Sequence, residues 1–369
     1  MKIVIATDSF KGTLTSYEAG VAICEGIKAA GVDADIRILE VADGGEGTSG
    51  IITRARGGKS QTVTVTGPLS GMKVTASYGI IDGGTAVIDI SQACGLTLLG
   101  EKDRNPLYTT TQGVGELILD ALDKGCRRFI IGLGGSATND CGAGMLSALG
   151  LRILKEDGSP VSPGAAGLAQ THSIDTSGLD PRLEGSEFLI ACDVNNPLTG
   201  ASGCSMVFAP QKGADEESCR KMDEWIALFA RNAGKPSDFP GAGAAGGLGY
   251  AFGALLNGRL VSGAGLVTKQ IKLEDELKGA DIVITGEGRI DSQTPMGKLP
   301  YVIARLAKEH GCRVMAFAGK VECDKKTLSE CISDEVYSIS EGISEAESMN
   351  NAAACLTAKV KEVFDGRPV

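Results

Sequence analysis

The chain has 369 residues, which is long enough for two domains of roughly 100–200 residues each. Hydrophobic residues make up 43% of it and charged residues 22%, a balance that excludes a disordered chain, a coiled coil and collagen. The formal net charge is −10 and Lys and Arg form no run, which excludes a basic stripe for nucleic acid, so an anionic substrate must be held by local donors.

Short apolar runs alternate with amphipathic helical patterns along the chain. The runs are mostly β-branched or aliphatic and end in Gly or a polar residue, as buried strands do. Alternating strands and helices predict an α/β fold with a mainly parallel sheet. In chain order the predicted elements are strand Lys2–Ala6, a helix through Val21, Cys24 and Ile27, helix Gly113–Lys124, strand Phe129–Gly132, helix Met145–Leu149, strand Phe188–Cys192, helix Asp215–Ala233, strand Asp281–Thr285, helix Leu299–His310, strands Arg313–Ala318 and Val336–Ile339, and helix Met349–Val363.

The segment 61–90 has a different pattern, with apolar residues at every second position and turns at Gly67-Pro68 and Asp82-Gly83-Gly84. No helical pattern fits between the runs. This predicts a meander or antiparallel sheet that belongs to a second domain inserted into the first.

The cysteines and the least polar stretch indicate the compartment. Eleven Cys without any C-x-x-C spacing argue against a disulfide framework and against a thiolate zinc site. The start of the chain has the pattern of a strand rather than of a signal peptide. Pro240–Gly258 carries no charge but is dense in Gly and Ala, which favours a loop with a small-residue helix over a membrane span. We therefore expect reduced thiols, a cytosolic location and no membrane partner.

The loops after the predicted strands carry the candidate chemistry, because ligands bind at the carboxyl ends of strands in open α/β sheets. Asp8–Thr13 offers hydroxyls, N–H groups and Lys11 at a helix start, which suits an anion, although a capped helix with a surface lysine fits too. Ala42–Thr48 places Asp43 and Glu46 among glycines, as Mg²⁺ ligands, as partners of substrate hydroxyls, or as an acidic turn with an Asp cap.

Ile131–Gly144 is the strongest signal, a strand that runs into a Gly-rich loop and then a helix. Consecutive N–H groups in such a loop make a phosphate cradle. The same segment also matches the looser dinucleotide pattern Gly132-x-Gly134-x-x-Ala137, with Glu156 or Asp157 about 20 residues further on. An oxidoreductase using NAD therefore stays open as an alternative, beside a small-anion sensor.

Three further loops add side chains. Asp193 follows a strand and suits a general base or metal ligand, or else an Asx-turn, and Asn195 lies beside it. Pro240–Tyr250 can offer only backbone, as a hinge, a packing surface or a ligand contact. Thr285–Pro300 lacks the Walker A spacing, but its mixed charges indicate carboxylate or phosphate recognition, with Arg289 as a bidentate donor. The two His residues, 172 and 310, make a Ser-His-Asp hydrolase improbable.

Six loops, in order along the chain, resemble those of the bacterial class I glycerate kinases: DSFKG from Asp8, ADGGEGT from Ala42, GLGGSATND from Gly132, CDVNNPL from Cys192, PGAGAAGGLG from Pro240 and TGEGRIDSQ from Thr285. The resemblance implies transfer of the γ-phosphoryl of ATP to D-glycerate with Mg²⁺, giving mainly 2-phosphoglycerate, with 3-phosphoglycerate as the other product considered. It also implies a Rossmann-like domain from residues 1–60 and 275–369, with an α/β domain at 61–274 inserted between them. The chain departs from the family at Thr7 and Cys141, where members often have Pro and Gly.

Within this resemblance the residues suggest roles that phosphoryl transfer requires, which are positioning and charge neutralisation. We expect Asp193 to accept the hydroxyl proton, and Lys11 with Arg289 or Lys298 to neutralise the phosphoryl group and the glycerate carboxylate. The remaining expected roles are phosphate binding by Gly134, Gly135, Ser136, Ala137 and Thr138, Mg²⁺ binding by Asp291 or Glu287, and substrate contacts from Asp8, Ser9, Asp43, Glu46 and Asn195, with Asp43 and Glu46 on the first domain.

Overall fold

The computed structural model describes residues 1–10, 12–342 and 344–365, which alternate between strands and helices as predicted. The strands are β1 (Lys2–Ile5), β2 (Asp35–Ile38), β3 (Lys59–Thr66), β4 (Lys73–Ile81), β5 (Thr85–Asp89), β6 (Arg128–Gly132), β7 (Arg152–Leu154), β8 (Ser173–Asp175), β9 (Glu187–Ala191), β10 (Arg259–Val261), β11 (Ile282–Ile290), β12 (Arg313–Val321) and β13 (Val336–Ser338). The helices are α1 (Ser16–Ala29), α2 (Thr48–Ala55), α3 (Ser91–Cys94), α4 (Gln112–Asp123), α5 (Ala143–Ala148), α6 (Ala165–Leu168), α7 (Cys204–Phe208), α8 (Glu216–Ala233), α9 (Ala244–Tyr250), α10 (Gly263–Gln270), α11 (Leu273–Leu277), α12 (Leu299–Glu309), α13 (Lys325–Cys331), α14 (Glu345–Asn350) and α15 (Ala352–Asp365).

The chain divides into two compact α/β units, of which unit 1 is Met1–Asp43 with Ala264–Val369 and unit 2 is Gly44–Gly263. The sequence predicts domain boundaries after residue 60 and before residue 275. Helix α2 instead belongs to unit 2, because it packs against β3, β4 and β5. Glu46, which was expected on the first domain, belongs to unit 2 for the same reason.

Unit 1 is built on a five-stranded parallel sheet in the order β13-β12-β11-β1-β2. The aliphatic run at Ile3 to Ile5 is fully buried, which explains why this short segment forms a central strand. Helices α1 and α15 pack together beside the sheet. A β-carbon at Gly26 would lie 2.7 Å from Thr357 O, so the approach of these helices requires glycine.

Unit 2 contains a six-stranded mixed sheet in the order β10-β9-β6-β5-β4-β3. Strands β10, β9, β6 and β5 are parallel, and β5, β4 and β3 pair antiparallel, as the two-residue periodicity of 61–90 predicts. The same sheet thus combines the antiparallel strands with the parallel ones. Strands β7 and β8 form a separate antiparallel pair.

The uncharged stretch Pro240–Gly258 contains α9 and a π-helical turn, Ala251–Leu255. Three consecutive residues, Ala245, Gly246 and Gly247, have left-handed backbone, with φ of 50°, 71° and 91°. Across the described parts of the chain, no helix combines the length and apolar character that crossing a membrane requires. All eleven cysteines are free thiols.

Candidate functional site

The Gly-rich loop after β6 presents free backbone donors in unit 2. Gly135 has a φ of 68°, and Gly135 O accepts the N–H of Leu96 at 2.7 Å. The N–H groups of Gly134, Gly135 and Ser136 donate to no group in the described residues. Three such donors in sequence suit an anion. The Ala137 N–H is engaged, since it donates to Cys94 O at 2.8 Å, and Thr138 is fully buried.

The segment Gly44–Gly47, which precedes α2 and is called the acidic loop below, packs directly on this Gly-rich loop. A β-carbon at Gly134 would lie 2.6 Å from Gly45 Cα, so the two backbones approach as only glycine allows. Glu46 is exposed, and its Oε2 lies 3.7 Å from the position that a β-carbon of Gly135 would take. Unit 2 thus brings the carboxylate of Glu46 next to the three free donors.

Asp89, at the end of β5, holds the acidic loop in place. It is 1% exposed and accepts hydrogen bonds from Gly47 N (3.0 Å), Ser49 N (3.0 Å) and Ser49 Oγ (3.0 Å). Burial raises its pKa to about 7, against the opposing effect of these donors. Sequence reasoning missed this residue. An acid at the end of a strand could have indicated Asp89, but it lies in the segment 61–90, for which the sequence predicts an antiparallel sheet.

Replacing Asp89 with Ala is expected to lower the unfolding free energy by about 2–3 kcal/mol, because the buried N–H and hydroxyl of Ser49 and the partly buried N–H of Gly47 lose their acceptor. Urea unfolding followed by the fluorescence of Trp225, the single Trp and a residue of unit 2, measures this change. The exposed Asp103→Ala is the matched control, with an expected change within about 0.5 kcal/mol. Equal stability of the two variants would contradict the role of Asp89.

Two further charged residues that the sequence does not single out as functional lie under the Gly-rich loop. Lys212 is 2% exposed, and its Nζ donates to Ser136 Oγ at 2.9 Å and to Thr138 O at 2.7 Å. Asp140 is fully buried and accepts from the Thr111 N–H and hydroxyl, both at 2.9 Å, and from the N–H groups of Gly142 and Gly144. These bonds tie the loop to the start of α5.

Left-handed backbone recurs beside this loop. Cys141 has a φ of 53°, which explains why glycine suits this position, and its N–H donates to Gly246 O at 2.9 Å. A β-carbon at Gly246 would lie 2.1 Å from Thr138 O. Of the three readings of Pro240–Tyr250, close backbone packing is therefore what the geometry shows.

Asp193 follows β9 in unit 2 and is exposed, as is Asn195. Asp193 Oδ1 accepts the Gly263 N–H at 2.8 Å. A β-carbon at Gly44 would lie 2.6 Å from Gly263 Cα and 3.0 Å from Ala191 Cβ. The first residue of the acidic loop therefore lies against the end of β9, so Asp193, the acidic loop and the Gly-rich loop share one edge of the sheet.

In unit 1, charged and polar side chains lie near the end of the parallel pair β1 and β11. Asp8 is buried, and its N–H donates to Gly286 O at 2.8 Å, next to Glu287. Glu287 is 9% exposed and accepts the hydroxyl of Thr294 at 2.9 Å. Ser9 and Asp43 are half-buried in the same unit, and Lys11 lies outside the described residues.

Lys298 connects the two acids expected to bind metal. Its Nζ lies 3.3 Å from Asp291 Oδ1 and 4.0 Å from Glu287 Oε2. Burial raises the pKa of Asp291, but the Gln293 N–H and Lys298 outweigh it and hold the pKa below its usual value. Asp291 is thus a carboxylate at neutral pH.

The sequence predicts that Arg289 lies in a loop directly after a short strand, but Arg289 lies within β11. Strand β11 continues to Ile290, and Arg289 pairs in register with Lys320 of β12. The side chain is half-exposed and lies 3.6 Å from Glu322. The ladder with β12 extends the strand because the segment 313–321 is itself a long strand.

The donor set for a divalent cation is small. Within the residues that the structure describes, no three His, Cys, Asp or Glu side chains are grouped so as to hold a metal. Glu287 and Asp291 are two carboxylates that share Lys298 as a neighbour. Such a pair fits Mg²⁺, which is commonly held by one or two carboxylates together with substrate phosphates.

Comparison with known proteins gives consistent matches across the chain. The model of a family described as the glycerate kinase family matches residues 3–366. A glycerate kinase of Bacillus subtilis (strain 168) is 47% identical over 348 residues, 93% of this chain and 91% of the relative. A glycerate 2-kinase of Escherichia coli (strain K12) is 45% identical over 345 residues, 92% and 90% of the two chains. A crystal structure of a protein described as glycerate kinase 2 from Salmonella typhimurium LT2 superposes with a TM-score of 0.84 at 42% identity, covering 99% of this chain and 98% of that one.

Proposed function

The chain belongs to the glycerate kinase family, and on this premise we propose that it transfers the γ-phosphoryl group of ATP to D-glycerate. The observation that carries the proposal is the match of the whole fold, together with a loop in unit 2 that offers three free N–H donors to phosphate. The product is mainly 2-phosphoglycerate, with 3-phosphoglycerate as the alternative regioisomer. The free thiols support a cytoplasmic location.

In unit 2, the N–H groups of Gly134, Gly135 and Ser136 bind phosphate oxygens of ATP. Asp193, a carboxylate at a strand end, acts as the general base that accepts the proton of the attacking hydroxyl. Glu46 and Asn195 bind the hydroxyls of glycerate. These roles are supported by the exposure of Asp193, Glu46 and Asn195 along one edge of the sheet.

In unit 1, Glu287 and Asp291 would hold Mg²⁺, which neutralises charge on the phosphates when it is bound. Lys298, already in contact with both carboxylates, offers positive charge to the phosphates. Arg289 and Lys11 neutralise the glycerate carboxylate and the transferred group. Asp8, Ser9 and Asp43 contribute further polar contacts to substrate.

The alternative of NAD-dependent oxidation finds no support. In a dinucleotide-binding fold, the acid after the Gly-rich motif ends the next parallel strand of the same sheet. Here Asp157 follows β7, which forms a two-stranded antiparallel sheet with β8, and its carboxylate accepts the N–H and hydroxyl of Ser159 in its own turn. Nor does any finding favour a small-anion sensor.

One assay tests the proposal. Purified protein is incubated with ATP, Mg²⁺ and each of a panel of hydroxy acids, ADP formation is followed with a coupled enzyme, and the product is identified by phosphorus NMR. We expect ADP formation that depends on D-glycerate. The phosphorus resonance of the product should couple to the single proton at carbon 2, which identifies 2-phosphoglycerate. Coupling to two protons would assign 3-phosphoglycerate. Absence of ADP formation with glycerate would overturn the proposal.

Replacing Asp291 with Asn is expected to raise the Mg²⁺ concentration for half-maximal activity by about tenfold, because one anionic ligand is lost. Mg²⁺ titration of the EDTA-treated enzyme measures this shift. Asp33→Asn, an exposed acid of unit 1, is the control and should leave the titration unchanged. Superimposable titrations of the Asp291 variant and the control would remove Asp291 from metal binding.

A further inference from the structure

Lys212 is a buried cation whose hydrogen bonds go to neutral groups. It ends the short turn Pro210–Lys212 and is 2% exposed. Its Nζ contacts are the hydroxyl of Ser136 and the carbonyl of Thr138, both neutral, and no carboxylate of the described residues forms an ion pair with it. Burying an unpaired ammonium costs free energy, which a nearby anion would offset.

The bond to Ser136 also determines what that hydroxyl can do. A hydroxyl has one hydrogen to donate and two lone pairs to accept with. Because Ser136 Oγ accepts from Lys212, its own hydrogen remains for another acceptor, and none of the described residues takes it. The hydroxyl belongs to the same loop whose N–H groups at Gly134, Gly135 and Ser136 are also free.

We propose that Lys212 is a positioning residue that orients the Ser136 hydroxyl to donate to a phosphate of ATP and supplies the buried positive charge that this phosphate requires. The inference rests on the proposed function, since a nucleoside triphosphate is the anion that the loop then binds. Lys212 touches the loop from below through Ser136 and Thr138 rather than touching substrate.

The surroundings of Lys212 determine the expected pH dependence. Burial lowers its pKa to about 8, and the titratable groups that face it, Cys204, Cys94 and Asp140, oppose this shift. Lys212 is therefore charged at pH 7 and loses its proton as the pH rises through about 8. Affinity for the triphosphate should fall over the same range.

The test measures ATP affinity by calorimetry, with kcat and both KM values, between pH 6.5 and 9, a range chosen to bracket the titration. For Lys212→Met we expect ATP affinity about tenfold weaker at pH 7, as for loss of one charge-assisted hydrogen bond, and no remaining fall in affinity between pH 7 and 9. The KM for glycerate should change by less than about twofold. The exposed Lys102→Met is the matched control and should keep the wild-type profile.

A second variant keeps the inference testable if Lys212→Met does not fold. Ser136→Ala leaves the bond from Lys212 to Thr138 O and should also weaken ATP binding, and the double variant should lose little more than Lys212→Met alone. Wild-type affinity and pH profile in Ser136→Ala, or in a folded Lys212→Met, would overturn the inference while the kinase assignment stands. A wild-type protein that does not bind ATP would overturn both.

Discussion

Replacement of Asp193 with Asn is expected to lower kcat by about 10²- to 10⁴-fold, the usual contribution of a general base, with KM for glycerate nearly unchanged. The amide cannot accept a proton at neutral pH. It still offers an oxygen to the Gly263 N–H, the bond that Asp193 Oδ1 makes at 2.8 Å. The local structure is therefore retained while the basic group is lost. Steady-state kinetics in the coupled assay measure the change.

Asp193→Ala separates the chemical role from the structural one. It loses both the base and the bond to Gly263, so its melting temperature should fall whereas that of Asp193→Asn should not. The two variants should share the same low kcat. A kcat for Asp193→Asn within about threefold of wild type would remove this residue from the role of base.

Replacement of Asp140 with Ala should give the largest loss of stability, about 3–4 kcal/mol in the unfolding free energy. The fully buried carboxylate accepts from two groups of Thr111 and from the N–H groups of Gly142 and Gly144. Ala leaves the buried donors of Thr111 and Gly142 and the partly buried N–H of Gly144 without this acceptor, and it also removes the anion at the start of α5. Urea unfolding monitored by Trp225 fluorescence reports this change in unit 2.

Asp157→Ala provides the control for this loss. Asp157 is exposed, and its hydrogen bonds within the described residues go to Ser159 in its own turn, so its removal should cost less than about 1 kcal/mol. A loss below about 1 kcal/mol for Asp140→Ala would show that the start of α5 does not depend on this carboxylate.

The six strands expected from apolar runs all form, because runs such as Ile3 to Ile5 have no stable place except a sheet buried on both faces. The sequence did not predict four short strands, β2, β7, β8 and β10. They have three or four residues and little burial, so only their pairing with neighbours makes them strands. The compact units differ from the sequence-based boundaries for a related reason, since α2 joins unit 2 through its packing against β3 to β5.

The sequence by itself determined the alternation of strands and helices and the glycine-dense loops at the strand ends, since both depend on residues that are neighbours in the chain. Only the tertiary structure decided which groups support those loops. Lys212 is 76 residues from Ser136 along the chain, and Asp89 is 40 residues from Ser49. A buried charge is stabilised by whichever donors and acceptors the packing of distant segments brings to it, and no local pattern records that choice.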